Sequence, residues 1–385
     1  MPGHLVLIGA GHAHLTVMKE LAGIIARGHR VTVVSDGNFQ YYSGMGPGLL
    51  AGRYRPARIR FDVATMVVAR GGRFLNDRVE QIDPHRRRLV LASGAHLTYD
   101  TLSLNTGSIV PGPATQKTSI RLYPAKPVEV FMTARADIAA RLAKQALKII
   151  VAGGGPAGVE VAANARALIR RLRGQAAITL ITRGTLLSQF IPAVRRKALA
   201  KLKRLGIRVM ESASLAAIDD RAVVLTNGRK LTCDTLFSAV GTQPPPLIRS
   251  SGLAVDKSGG LLVNHHLQSV SHPEVFGGGD CIAFQPRPLA RVGVYAVRQN
   301  PILHHNLLAA LEGGALEPFV PQHDYLLILN MGDGTGILNR GRLTFAGWPA
   351  FWLKHVIDDR FMRRFQLSNE RRNGMDTADR GAAPA

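Results

Sequence analysis

The sequence is poor in cysteine and has no long apolar run. Cys233 and Cys281 are its only cysteines, which excludes a disulfide framework and any C-x-x-C redox or zinc motif. We interpret each as a small buried hydrophobic residue rather than a reactive thiol. Because a membrane-spanning helix needs about 18 or more consecutive apolar residues, none is expected. A strand and a glycine turn already occupy residues 5–11, so we also expect no cleavable secretion signal.

Acidic and aromatic residues are also scarce. Basic residues outnumber acidic ones by 49 to 26, which gives a formal charge of +23 and a pI near 11.0. This balance favours anionic partners, either phosphates, anionic lipid surfaces or nucleic acid. The densest basic block lies between Phe190 and Met210 and has no aromatic residue inside it. Because nucleic-acid binding uses stacking aromatics or a known motif, no nucleic-acid partner is predicted.

Glycine, by contrast, is abundant, and it punctuates two similar segments. A strand and turn at 5–11 precede a helix predicted at 15–27 and a strand at 30–35. The same order recurs as a strand and turn in 148–158, a helix through residue 169 and a strand at 177–182. With 385 residues the chain is long enough for at least two cores. The repeat predicts two βαβ units in one chain.

The two turns are Gly9-x-Gly11-x-x-His14 and Gly153-x-Gly155-x-x-Gly158. In such a turn the strand reverses into a helix while its backbone touches a pyrophosphate, whose charge the helix amides bind. Two of them predict two dinucleotides, and a flavin facing a nicotinamide fits hydride transfer. His14 takes the place of the third glycine, either as a packing residue or beside the ligand. No third ligand accompanies His12 and His14, so no metal site is predicted.

Further segments complete a predicted order of elements. Short strands are expected at 74–75, 79–82, 88–91 and 101–104, then a basic helix at 192–205 and a strand at 207–210. A β-rich stretch ends at 241, and the triple proline at 244–246 marks a boundary. A helix is predicted at 295–311 and a strand at 325–329.

Five motifs in this order resemble a known family. They are the two turns, Asn105-Thr-Gly-Ser108, Ser238-Ala-Val-Gly-Thr242 and Val275-Phe-Gly-Gly-Gly-Asp-Cys281. Over roughly residues 4–311 the chain resembles the two-dinucleotide-binding-domain flavoproteins of the pyridine nucleotide-disulfide oxidoreductase superfamily. Within it, the chain looks most like the type II NADH:quinone and sulfide:quinone oxidoreductase branch. Closer still are the flavoproteins associated with selenide,water dikinase, which share Tyr42-Ser-Gly-Met-x-Pro-Gly48, Tyr295-Ala-Val-Arg-Gln299 and Leu353-Lys-x-x-Ile-Asp-x-Arg-Phe-Met362.

The resemblance implies an α/β fold with two Rossmann-like FAD/NAD(P)-binding domains, the second inserted in the first, and a basic aromatic C-terminal segment. The implied FAD-binding domain covers 1–115 and 250–330, and the NAD(P)H-binding domain covers 145–245. Residues 331–372 would form a membrane-surface or dimer segment, and 373–385 a disordered tail.

The resemblance also implies binding residues for FAD and for NADH or NADPH. On the FAD side they are Gly9, Gly11, His14, Ser35, Asp36, Thr106, Gly107, Gly279 and Asp280. On the nicotinamide side they are Gly153, Gly155, Gly158, Arg183 and Gly241. Asp36 would substitute for the acid that usually binds the FAD ribose, or it is a plain loop residue. Arg183 stands where an acid would select NADH, so it either accepts a 2′-phosphate or is one more surface arginine.

Three residues are the catalytic candidates. Glu160 resembles a family glutamate near the contact of flavin and nicotinamide, where it would relay a proton. It could equally be a first-turn acid that complements the helix dipole. Arg298 and Gln299 belong to the helix whose N-terminal end would face the flavin. Lys126, in a Pro-x-Lys-Pro-like turn, is interpreted as structural.

Residues 41–52, where disulfide reductases of this superfamily carry their redox cysteines, contain none. We therefore interpret the chain as an FAD-dependent oxidoreductase that passes electrons from NAD(P)H to a quinone or similar small acceptor. The alternatives are a flavoprotein of sulfur or selenium metabolism and a non-catalytic nucleotide-sensing flavoprotein.

The segment from Trp348 to Arg372 mixes tryptophan and phenylalanine with arginine and lysine. Such a mixture is typical of an interfacial membrane helix, but its apolar residues do not follow one clean helical stripe. Packing against the body of the protein or against a second subunit, as in a homodimer, is the alternative. We expect a cytoplasmic protein, peripheral on the inner face of the membrane if this segment binds anionic lipid.

Overall fold

The computed structural model describes residues 1–111 and 118–368. Residues 112–117, 369–372 and the tail predicted at 373–385 lie outside the described residues. In the described ranges the α-helices are α1 (Leu15–Lys19), α2 (Leu21–Ala26), α3 (Gly46–Leu50), α4 (Val63–Val68), α5 (Val130–Leu142), α6 (Pro156–Arg171), α7 (Pro192–Arg204), α8 (Pro246–Arg249), α9 (Gly293–Glu312) and α10 (Trp348–Phe365).

The β-strands of the same ranges follow in chain order. They are β1 (His4–Ile8), β2 (Arg30–Ser35), β3 (Phe39–Tyr41), β4 (Arg60–Asp62), β5 (Arg73–Asn76), β6 (Val79–Asp83), β7 (Arg88–Leu91), β8 (His96–Thr98), β9 (Thr101–Leu104), β10 (Arg121–Pro124), β11 (Leu147–Ala152), β12 (Ala176–Ile181), β13 (Ile207–Met210), β14 (Leu215–Ile218), β15 (Ala222–Leu225), β16 (Lys230–Thr232), β17 (Thr235–Ser238), β18 (Leu261–Val263), β19 (Val275–Gly277), β20 (Ile282–Phe284), β21 (Leu327–Asn330), β22 (Gly336–Arg340) and β23 (Leu343–Gly347).

The first large sheet is parallel and has the strand order β19-β9-β1-β2-β5. β1 is buried along its whole length, as expected for a strand that is covered on both faces. Residue pairs such as Leu5 with Val31 and Ile8 with Leu104 set its register. The carboxyl ends of these strands therefore meet at one edge, where the first glycine turn and the motifs after β9 and β19 lie together.

The second large sheet repeats this plan with the order β10-β17-β11-β12-β13, also parallel. In each unit a three-stranded antiparallel sheet, β6-β7-β8 or β14-β15-β16, precedes the strand that returns to the centre. Since β19 rejoins the first sheet after the second sheet is complete, the second unit is inserted in the first. The predicted α/β class with two Rossmann-like units is confirmed.

The second unit begins earlier in the chain than the resemblance implies. The second sheet takes β10 from upstream of residue 145. The helix predicted at 15–27 is divided into α1 and α2 at Glu20, whose backbone leaves helical geometry. The other predicted elements, such as the strand at 101–104, agree with the structure to within a few residues.

A third unit follows α9. The strands β21-β22-β23 form an antiparallel meander, and α10 packs against it. Phe351, Met362 and Phe365 of α10 are buried, so this face of the helix contacts the same chain. Trp348, Trp352 and Val356 are exposed on another face. Among the described helices none is long and apolar enough to cross a bilayer.

Candidate active site

The first glycine turn packs against the loop that follows β9. Gly9 has φ +82°, and a Cβ there would lie 2.5 Å from the Asn105 carbonyl oxygen. A Cβ on Gly11 would lie 2.6 Å from Asn105 Oδ1. The turn and the Asn105-Thr-Gly-Ser108 motif thus meet at the edge of the first sheet, and any side chain at either glycine would push them apart.

Several polar atoms around this turn are buried without a hydrogen-bond partner among the described residues. They are His12 Nε2, Asn105 Nδ2 and Thr106 Oγ1. A folded protein rarely leaves such atoms unsatisfied, because each one costs stability. The turn, its glycines and these three orphaned atoms fit the polar chain of a bound dinucleotide, which the resemblance predicts to be FAD for this unit.

Asp280 anchors a second network at the same edge. The Ser108 hydroxyl donates to Asp280 Oδ2 at 2.9 Å, and the Lys126 ammonium forms an ion pair with the same carboxylate. Lys126 therefore contacts a predicted FAD-binding residue, and this ion pair is consistent with the structural role interpreted from the sequence. This contact could not be predicted from the position of Lys126 in a turn before α5, because only the fold brings residue 126 to residue 280.

His14 lies behind the turn. One ring nitrogen, Nδ1, is 2.6 Å from the Gly9 carbonyl oxygen, and Nε2 is 2.8 Å from Ser103 Oγ. Burial lowers the His14 pKa to about 4, so the imidazole is neutral. Because both nitrogens have protein partners, this placement favours packing over ligand contact. The first turn thereby dispenses with a third glycine.

Ser35 and Asp36 lie where β2 ends, at the same sheet edge. Ser35 is the last residue of β2, and the exposed Asp36 follows it. The Gly37 amide is held by Asn76 Oδ1 at 2.9 Å, so the end of β5 supports this loop. Both residues stay predictions for the FAD ribose, and Gly107, with φ +69°, stays one for the cofactor loop.

At the second glycine turn the backbone leaves even less room for a Cβ than at the first turn. A Cβ on Gly158 would overlap the Gly153 carbonyl oxygen, and one on Gly153 would overlap that of Ala239. Gly155, the N-cap of α6, faces open space. Helix packing therefore requires Gly158, whereas Gly155 leaves the helix amides accessible to a phosphate. This geometry fits a nicotinamide dinucleotide.

Three further features border the second turn. The Ser238 hydroxyl is buried at the end of β17 without a partner among the described residues. Gly241 has φ +47° and is exposed beyond it. Arg183 is exposed two residues past the end of β12, so its guanidinium is free to meet an anionic group, and its role stays a prediction.

Glu160 belongs to a cluster of charged residues around the buried Asp358. Its Oε1 accepts from the Asn330 amide at 2.8 Å. Burial raises the Glu160 pKa to about 7, although the nearby Lys354 ammonium lowers it in part. A carboxyl with this pKa exchanges protons readily near neutral pH. The position thus supports a relay more than a dipole-complementing surface acid.

The rest of this cluster comes from two other parts of the chain. Lys354 Nζ donates to Asp358 Oδ2 and to the Gly44 carbonyl oxygen, both at 2.7 Å. The Tyr42 hydroxyl donates to Asp358 Oδ1 at 3.1 Å. Asp358 is 3% exposed, and burial raises its pKa against the lowering effect of Lys354. Lys354 and Asp358 were not predicted as site residues from the sequence, although their i, i+4 spacing on a helix could have indicated an ion pair.

The other two catalytic candidates lie elsewhere. Gln299 is buried in α9, and its Oε1 accepts from the Gly279 amide at 2.7 Å. Gln299 therefore holds the loop that carries Asp280. Arg298 points to solvent on the same helix. In the structure neither residue lies in the cluster of Glu160.

Both cysteines are buried and unreactive. Burial raises the pKa of Cys281 to about 11 and that of Cys233 to about 12. The Cys281 thiol donates to the carbonyl oxygens of Leu104 and Gly278. Since the thiolate is the reactive form, this placement fits the interpretation of both residues as small buried hydrophobic side chains.

Known proteins share this architecture. The profile of the pyridine nucleotide-disulphide oxidoreductase family matches residues 3–303. The ferredoxin–NAD(+) reductase component of the biphenyl dioxygenase system of Paraburkholderia xenovorans is 30% identical over 295 residues, 74% of this chain and 68% of that protein. A probable NADH dehydrogenase of Dictyostelium discoideum is 23% identical over 90% of this chain and 83% of its own length. The sulfide:quinone oxidoreductase of Aquifex aeolicus has a TM-score of 0.79 at 19% identity, covering 94% of this chain and 91% of that one.

Two dinucleotide-binding units in one chain define a flavin-dependent nicotinamide nucleotide oxidoreductase. The chain belongs to the pyridine nucleotide-disulphide oxidoreductase family. Its cofactors are FAD and NAD(P)H, as the sequence predicted.

Proposed function

We propose that this enzyme transfers two electrons from NAD(P)H through FAD to a quinone or similar small acceptor, without a redox disulfide. The observation that carries the proposal is the cluster of Glu160, Lys354, Asp358 and Tyr42, whose residues come from both dinucleotide units and from α10 and surround the buried Asp358. Bound FAD supplies the acceptance of a hydride from the nicotinamide and the release of two electrons to the second substrate.

The proton balance gives Glu160 its role. Oxidation of NAD(P)H delivers two electrons and one proton, whereas reduction of a quinone to its quinol consumes two protons. One proton must therefore come from solvent through the protein. Glu160 is suited to pass it on, because its pKa of about 7 leaves the carboxyl partly protonated at neutral pH. Lys354 and the Asn330 amide stabilise the carboxylate that remains.

The state of the cysteines favours a small diffusible acceptor over thiol chemistry. Both thiols are buried with raised pKa values, so a flavoprotein of sulfur metabolism that works through cysteines is not favoured. The helix that carries Lys354 also exposes an apolar stripe to solvent, which suits a lipid-soluble acceptor. The structurally similar protein of Aquifex aeolicus is by its name a quinone enzyme. The relative from Paraburkholderia xenovorans is by its name a ferredoxin reductase.

We further propose that α10 holds the enzyme on an anionic membrane surface from the cytoplasmic side. Trp348, Trp352 and Val356 are spaced by four residues and are 69%, 58% and 41% exposed. Arg360, Arg363 and Arg364 follow at the end of the same helix and are exposed. Tryptophan beside arginine is a typical interfacial pattern. The helix has two apolar faces, one buried against the same chain and one exposed, which is why its apolar residues do not follow one clean stripe in the sequence.

The test of the electron route begins with the visible spectrum of the purified protein under anaerobic conditions. NADH and NADPH are added separately, and then a short-chain ubiquinone or a [2Fe–2S] ferredoxin. Rapid bleaching of the flavin band and fast reoxidation by the quinone are expected. Reoxidation by ferredoxin alone would replace the quinone with a protein acceptor. A flavin band that persists with both nucleotides would instead support a sensing role.

The membrane proposal has its own test in cosedimentation with liposomes of anionic and of neutral lipid. The double substitution Trp348→Glu with Trp352→Glu should abolish binding to anionic liposomes. Val270→Glu with Val320→Glu is the matched control, because both valines are exposed away from α10 at 42% and 81%. Equal binding by both double variants would contradict anchoring by α10.

A further inference from the structure

The two histidines after the first glycine turn lie in opposite environments. His14 has protein partners on both ring nitrogens. His12, two residues earlier, has its Nε2 sealed from solvent with no hydrogen-bond partner among the described residues. The electron route proposed above uses neither ring. His12 therefore has a binding capacity that the protein itself leaves unused.

The surroundings of His12 fix the orientation of its ring. Its edge meets the Tyr42 ring with centroids 5.5 Å apart, and the Phe361 ring of α10 lies at 6.0 Å. Tyr42 and Phe361 also contact each other, with centroids 4.7 Å apart. The imidazole is thus wedged against two aromatic rings, so its unpaired nitrogen keeps one direction rather than turning to water.

The charged and polar groups on the other side belong to the FAD edge of the sheet. Asp280 and Lys126 are the charges that act on His12. Asn105 Nδ2 and Thr106 Oγ1, the other orphaned atoms, belong to the loop that touches Gly11. Desolvation by burial lowers the His12 pKa to about 4, with Asp280 opposing and Lys126 adding to the shift. The ring is therefore neutral at physiological pH and can donate from Nε2 in one tautomer.

We propose that His12 is an FAD-binding residue whose Nε2–H donates a hydrogen bond to the ribityl and pyrophosphate part of the cofactor. This inference rests on FAD as the resident cofactor and is independent of the electron acceptor. His12 supplies the contact without adding a charge beside the Lys126–Asp280 ion pair. It also joins the cofactor edge to the aromatic contact with α10, so that FAD binding and the seating of α10 share one side chain.

The test measures FAD affinity of the apoprotein by the quenching of flavin fluorescence. His12→Phe keeps a ring against Tyr42 and Phe361 but removes the donor, and it should weaken FAD binding about fivefold to tenfold, as for the loss of one hydrogen bond. His12→Gln places an amide N–H donor near the position of Nε2 and should bind within about twofold of the wild type. His323→Phe is the control, since the His323 side chain is 94% exposed.

Each result decides between alternatives. Wild-type affinity in His12→Phe would overturn the proposal, and so would equal losses in the Phe and Gln variants, because these would indicate packing rather than a hydrogen bond. Should His12→Phe not fold, the 15N resonance of His12 Nε2, assigned by its loss in His12→Gln, replaces it. That resonance should move to the protonated, hydrogen-bonded range when FAD is added, and an unchanged shift would refute the contact. Failure of the wild type to bind FAD would contradict the cofactor assignment instead.

Discussion

The pH dependence of quinone reduction gives the sharpest check on the proton relay. The Glu160 pKa of about 7 arises from burial, against an ordinary value of 4.5. The carboxyl would be about 90% protonated at pH 6 and about 10% protonated at pH 8. If the protonated carboxyl supplies the proton, turnover with quinone should fall about tenfold between these two pH values. An unperturbed carboxyl would be ionised throughout and would give no such decline.

The assay is steady-state turnover at saturating NAD(P)H with a short-chain ubiquinone from pH 5.5 to 8.5. Ferricyanide serves as the control acceptor, because its reduction takes up no proton, and it should show no decline. Glu160→Gln should lower quinone turnover and abolish its decline toward alkaline pH, while FAD stays bound. Lys354→Met removes the cation that lowers the Glu160 pKa, so it should move this decline to higher pH. A wild-type turnover that does not change with pH, or an unchanged decline in Glu160→Gln, would refute the relay.

Three further predictions concern positioning, fold and nucleotide choice. Asp358→Ala leaves the buried Lys354 ammonium without its carboxylate, so thermal unfolding should show a loss of about 3–5 kcal/mol, with a smaller loss in Asp358→Asn. Gly158→Ala should lower the melting temperature, at a cost of about 1–3 kcal/mol or more, because its Cβ meets backbone; Gly155→Ala should leave it unchanged and weaken only NAD(P)H binding. If Arg183 binds a 2′-phosphate, Arg183→Glu should raise the KM for NADPH about tenfold or more with little change for NADH, whereas equal effects on both would remove that role.

Much of the fold could be predicted from local sequence. The continuous apolar run of β1 and the glycines after it determine a buried parallel strand and a tight turn, whatever the rest of the chain does. The repeat of this pattern at β11 gave the second unit and its cofactor class. Glu160 could be selected because it follows the second turn directly. These features depend on near neighbours in the sequence, which is why they were visible without a structure.

The partners of these residues could not be predicted, because they come from distant parts of the chain. Asp280 meets Lys126 across 154 residues, and Tyr42 meets Asp358 across 316. Gln299 and Arg298 are adjacent in sequence, yet one is buried beneath the Gly279 loop and the other faces solvent. The direction of a side chain from a helix is decided by what packs against that helix.

The two histidines after the first turn show the same division. The glycines at positions 9 and 11 were enough to predict that a strand turns into a helix there, since only glycine allows the close backbone approach. They could not show that Gly9 and Ser103 would satisfy His14, or that His12 Nε2 would be buried without a partner among the described residues. Hydrogen-bond satisfaction depends on groups from distant parts of the chain that packing brings together, and no local pattern encodes it.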